Sequence, residues 1–233
     1  MAPIRTYTDW NKRPSDREDQ IEPYRKYFFI CEGSNTEVWY FQKLIDLRKQ
    51  LGIHPLIDIR LMEKTGEDKT ISNPKALVKF AKQQKEIPEN QFDPRHDKMV
   101  IVFDADIYQK DPMRYNEILE LGSGDILAVT NPSFELFLLL HYDNSYEEII
   151  KPNEMDILQN RKVGKRRCIA ALFTEKSGMN PKENSAVGEL AKDIDIAIRQ
   201  EKLINQDIQN AIGNLTSNVA KIIQQIREDE ALD

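Results

Sequence analysis

Four short apolar runs alternate with longer stretches of helical periodicity, and this order constrains the fold more than any other feature. Tyr27–Cys31, Ile57–Met62, Met99–Phe103 and Ile126–Thr130 read as strands. Between the first two lies a helix carrying Val38, Phe41, Leu44, Ile45 and Leu47 at helical spacing. Asn73-Pro74 opens a second helix, with Pro in the tolerated first position and Leu77, Phe80 and Ala81 as its apolar stripe. Pro112–Leu121 predicts a short third helix, and Asn131-Pro132-Ser133 opens a fourth, FELFLLLHY. Strand and helix in strict alternation specify an α/β fold built on a parallel sheet. Right-handed crossovers place all the carboxyl ends of the strands on one edge, where open α/β sheets bind their ligands.

The pattern changes past residue 150. Lys165–Lys176 reads as a helix with a basic start, and Val187–Ile198 and Ile208–Ile226 read as amphipathic helices. No strand is expected there. The expected organisation is a loose polar arm over 1–22, pinned by Trp10 if by anything, an α/β core over 23–150 and a helical part over 151–233. The chain has 233 residues, about 40% of them hydrophobic, which suffices for a sizeable core. Two cysteines, Cys31 and Cys168, make no disulfide framework. Neither a secretory leader nor an apolar run of membrane-spanning length is read, so a cytoplasmic protein with no membrane partner is expected.

Acidic residues follow two of the strands. Glu32 comes directly after the first, and Asp104 and Asp106 after the third. In an extended segment, residues two apart point to one side. Asp104 and Asp106 would then converge, and their repulsion calls for a cation. Carboxylates without thiol or imidazole neighbours suit a hard ion such as Mg²⁺ or Mn²⁺. Gly33 permits a sharp turn or a close approach to a ligand. Ser34 and Glu37 have the spacing of a capping box, which accounts for Glu37 without a ligand. Glu135 suits either the positive end of a helix or a second cation. His54, His96 and His141 lack zinc-site spacing, and His141 reads as structural.

Arg161, Lys162, Lys165, Arg166 and Arg167 place five cations within seven residues with no acid between them. Against a net charge of −6, such a cluster predicts a local track for nucleic-acid phosphates. The acids and this track together predict cleavage of DNA or RNA phosphodiester bonds. One ion would sit on Asp104 and Asp106, and a second on Glu32 with Glu135. Glu32 serves alternatively as general acid or base. A haloacid-dehalogenase-like phosphatase, with Asp104 as nucleophile, and a non-catalytic subunit are the competing readings.

ICEGSNTEVWYF, VFDAD and TNPSFELFLLLHYD resemble the signature segments of the RloB-like proteins, and IGNLTSNVAKIIQQI is similar to that family's C-terminal helix. The resemblance runs from about residue 26 to 226. It implies a Toprim-like, Rossmann-like core with a helical extension. Glu32 would be the Toprim glutamate, Asp104 and Asp106 the metal-holding pair, and Glu135 an extra acidic member. It also implies phage defence beside an ABC/AAA-type ATPase. Two departures stand out. Val38 occupies the family's usual Pro position, and Ala105 replaces a basic residue between the aspartates, removing a charge expected to touch substrate phosphate.

Overall fold

The computed structural model describes residues 24–229, except 63, 65–67, 69, 70 and 72. The N-terminal arm and Trp10 lie outside the described residues. The four expected strands form as β1 (Arg25–Cys31), β2 (Ile57–Leu61), β3 (Lys98–Asp104) and β4 (Ile126–Asn131). The helices between and after them are α1 (Thr36–Asp46), α2 (Pro74–Glu86), α3 (Pro112–Leu121) and α4 (Phe134–Leu139). The sheet order is β2-β1-β3-β4-β7, where β7 is Thr216–Ser217, with β1 to β4 parallel. The architecture is a Rossmann-like α/β sheet with flanking helices and a helical C-terminal extension.

The continuous apolar runs make sense because the sheet is covered on both faces. Phe28 and Ile30 of β1 and Met99, Ile101 and Phe103 of β3 pack with Leu77, Phe80, Tyr115 and Ile118 from α2 and α3. Tyr27, Phe29 and Cys31, with Val100 and Val102, face the other side. There α1 supplies Tyr40, Phe41 and Leu44, and α4 supplies Phe134 and Phe137. Removing this apolar surface from water is what holds the layers together, at about 25 cal/mol per Å².

The later third of the chain departs from the expectation in three places. The first three residues of the helix expected over Lys165–Lys176 do not join it. Instead β5 (Lys162–Val163) and β6 (Arg166–Arg167) form an antiparallel hairpin. Its turn is at Gly164, whose φ of +63° favours glycine. The helix α6 begins only at Cys168 and runs to Ser177. Val187–Ile198 divides into a 3₁₀ segment, Ser185–Asp193, and the start of α7 (Ile194–Glu201). Finally, Ile208–Ile226 is not one helix. Thr216–Ser217 leaves the periodic pattern to form β7, antiparallel to β4, and α8 (Val219–Arg227) follows. Pairing with the sheet outweighs local amphipathicity here, as tertiary contacts commonly do.

Glu201, at the end of α7, ties these pieces together. Its carboxylate accepts from Ser217 Oγ at 2.5 Å, from the backbone N–H groups of Ala220 (2.9 Å) and Lys221 (2.8 Å), and from Gln206 Nε2 at 3.0 Å. It thereby caps the first turn of α8 from another element. Among the described residues no helix is long and apolar enough to cross a membrane.

Candidate functional site

From β1 the chain goes outward to β2, then returns across to β3 on the other side of β1. The point where the strand order reverses therefore lies between β1 and β3, and ligand crevices form at such points. Register fixes what stands there. Cys31 pairs with Val102, and the Glu32 N–H continues the ladder to the Val102 carbonyl at 2.9 Å. Asp104 pairs with Thr130 on β4. Glu32 and Asp104 are thus neighbours across adjacent strands, and the Asp104 N–H donates to Glu32 Oε2 at 3.3 Å.

A cavity of about 660 Å³ opens above this edge. Glu32, Glu37, Asp104, Asp106 and Glu135 line it on the side of the α/β core. Lys162, Lys165, Arg166 and Arg167 of the β5–β6 hairpin line it from the helical extension. The turn Asn180–Glu183 forms a further wall. It is held by Thr36 Oγ1, which donates to the Pro181 carbonyl (2.8 Å), and Asn35 Nδ2, which donates to the Lys182 carbonyl (3.0 Å). Acidic and basic residues from separate parts of the sequence thus share one space. Arg161 differs from the other four cations: it pairs with Asp156 at 3.1 Å and does not line the cavity.

The carboxylates crowd one another with few donors between them. Asp104 accepts from Thr130 Oγ1, and Glu135 from Ser133 Oγ at 2.5 Å. Burial, with the negative charge of Glu37 and Asp106 added, pushes the Glu32 carboxyl up to about 7. Burial likewise raises Asp104, and Glu37 and Glu135 push it further. Glu37 is raised by burial and then by Glu135. Asp106 is raised by burial too, against the pull of Arg167. Lys64 donates to the Glu32 carbonyl, and burial lowers its ammonium below the ordinary range. Such mutually opposed carboxylates are the electrostatic condition under which a cation binds.

Two local expectations fail. The capping box does not form: α1 begins after Asn35, with no side-chain cap, and Glu37 turns into the cavity. Gly33 makes room for it. A Cβ there would lie 2.1 Å from Glu37 Oε2. Nor do Asp104 and Asp106 converge by strand alternation. The backbone leaves the extended form at Ala105 (φ −93°, ψ −2°), and Asp106 opens a 3₁₀ turn. There Asn160 Nδ2 holds Asp106 Oδ2 at 3.0 Å. Ala105 is fully buried in the α2–α3 core, so in this chain position 105 does not face the cavity.

His141 is a core residue. Its Nε2 meets the Tyr40 hydroxyl at 2.9 Å and its Nδ1 the Phe137 carbonyl at 3.0 Å, while burial lowers it to about 4. Both cysteines are free and buried. Among the described residues no three His, Cys, Asp or Glu side chains are already grouped as a metal site.

A model of the RloB-like protein family matches residues 27–226. The chain belongs to that family. The match covers β1 through α8, so every wall of the cavity lies within the RloB-like region. No curated protein and no solved structure matches this RloB-like chain.

Proposed function

We propose that the chain is a Toprim-type nuclease that cleaves phosphodiester bonds of DNA or RNA with Mg²⁺ or Mn²⁺. One observation carries this reading: half-buried, mutually repelling carboxylates at the strand-order reversal face four hairpin cations across a single cavity. The donors are all oxygen, as hard divalent ions require, and their charge is largely uncompensated. Glu32, Asp104, Asp106 and Glu135 would hold one or two ions, with Glu37, which its spacing had assigned to a helix cap, beside them. The ion supplies Lewis-acid stabilisation of phosphate charge and a more acidic water.

The protein's own groups do the rest. Lys162, Lys165, Arg166 and Arg167 seat the phosphate backbone against the acids and set its register. Glu32, poised near neutrality, takes a proton from water or returns one to the leaving oxygen. The acidic surface elsewhere confines nucleic acid to this track. The family resemblance motivates two further parts of the proposal: a role in phage defence within the cytoplasm, and an ABC/AAA-type ATPase as partner.

The test compares wild type with Asp104→Ala on plasmid DNA and on tRNA, with Mg²⁺ or Mn²⁺ added. Loss of about 100-fold or more in cleavage is expected, at least the upper range for disturbing a metal site. Equal cleavage by both proteins ends the proposal. A second reading gives the helical extension a docking role. It makes the chain a non-catalytic subunit of the ATPase. Calorimetry separates the two, since this reading requires tight ATPase binding and no uptake of Mn²⁺.

A further inference from the structure

Asn160 stands where the helical extension meets the carboxylates. It follows α5 (Glu154–Leu158) and immediately precedes the basic hairpin. Its φ of +47° is a left-handed conformation that Asn tolerates better than most residues. Three bonds hold it there. Its N–H donates to the Ile157 carbonyl at 2.9 Å, and its own carbonyl accepts from Arg167 Nη1 at 2.9 Å. Its Nδ2 donates to Asp106 Oδ2 at 3.0 Å.

The side-chain orientation follows from chemistry. A carboxylate only accepts, so the amide group facing Asp106 has to be the NH₂. The amide oxygen is then left over. Oδ1 of Asn160 is buried and has no hydrogen-bond partner among the described residues, although the residue lines the cavity. A buried acceptor without a donor costs free energy, and such groups ordinarily find a partner. A water or a cation in the cavity would supply that partner.

We infer that Asn160 is a positioning residue of the site: Nδ2 fixes Asp106, and Oδ1 completes the shell of a divalent cation, directly or through one of its waters. The inference rests on the nuclease reading and adds a neutral oxygen to its acids. Amide oxygens are ordinary ligands for hard cations. Because Asn160 also receives Arg167, one residue spans the phosphate-binding hairpin and the acidic floor. Nothing in the sequence around it, LQNRKV, carries a motif that would have marked it.

The probe is Mn²⁺ alone, titrated into the full chain by calorimetry and by electron paramagnetic resonance of the free ion. Asn160→Gly suits the left-handed backbone, so folding is protected, and melting in EDTA checks it. Asn160→Asp restores an oxygen but loses the donor to Asp106. The glycine variant is expected to bind Mn²⁺ about 10-fold more weakly. The aspartate variant is expected to stay within about 3-fold of wild type, with a steeper dependence on pH, because it adds a further acid. Glycine-variant binding equal to wild type, while Asp104→Ala binds nothing, overturns this inference alone. A wild type that takes up no Mn²⁺ overturns the nuclease reading and this inference with it.

Discussion

Glu201 is fully buried and the acids around Glu32 are half-buried, but their surroundings are opposite. Glu201 receives four donors, two of them backbone N–H groups at the start of α8. Glu32 and Asp104 each accept a single bond, and the charges that act on them most strongly are those of other acids. Burial raises the proton affinity in both places. At Glu201 the protein answers with hydrogen bonds. At the sheet edge it supplies only a few, leaving a charge deficit that a ligand can fill. The contrast separates a carboxylate that builds the fold from carboxylates that the fold sets aside for chemistry.

The largest expected effect breaks the structural side. Glu201→Ala leaves four donors without their acceptor and costs about 3 kcal/mol. For a chain of this size that lowers Tm by about 10 °C. Thermal unfolding measures the loss, and Mn²⁺ titration should show affinity within about 2-fold of wild type. A wild-type Tm would dissolve the distinction.

Next comes pH. An ordinary glutamate has a pKa of about 4.3, whereas that of Glu32 in the folded chain is about 7. Between those values the folded state holds a proton that the unfolded state has released. The contribution to stability is therefore fully present below about 4.3 and is lost as pH rises through about 7. Metal-free protein should melt about 5 °C lower at pH 8 than at pH 5.5. Mn²⁺ should restore more stability at pH 8, where the carboxylates are free to bind it, and Asp104→Asn should flatten the dependence. Melting curves in EDTA and in MnCl₂ at both pH values decide this. A rescue by Mn²⁺ that is equal at the two pH values contradicts the account.

The smallest effect concerns Gly33→Ala. The added methyl would press on the Glu37 carboxylate, the far end of a flexible side chain, which can swing aside. Stability should change by less than about 1 kcal/mol. Mn²⁺ affinity should drop about 3-fold if Glu37 belongs to the site. Unchanged affinity by calorimetry would return Glu37 to a purely local role.

The parallel sheet was legible because its strands are buried on both faces, and Tyr27–Cys31 or Met99–Phe103 can be little else in a βα alternation. Position at strand ends then placed Glu32 and Asp104 close together, as the register now shows. What escaped the sequence was local and short. Lys162–Val163 and Thr216–Ser217 are too brief for any periodicity, and their pairing depends on partners supplied by tertiary structure. Glu37 fitted a capping box by spacing, yet the Asn35 conformation opens α1 one residue later and aims the carboxylate elsewhere. Asp106 was placed by alternation that ends at Ala105. Asn160 belongs to no motif, and its meaning comes only from what folding sets beside it.

The two-residue strand β7 has a consequence larger than its length. It lies along the outer side of β4, supplied by a segment that follows the sheet's other strands by more than eighty residues. Cut away, it would leave β4 with a bare flank of unpaired peptide groups, an invitation to self-association between copies. The chain is therefore better studied intact than dissected, because its last helices act as a hem that finishes the fabric woven by its first half.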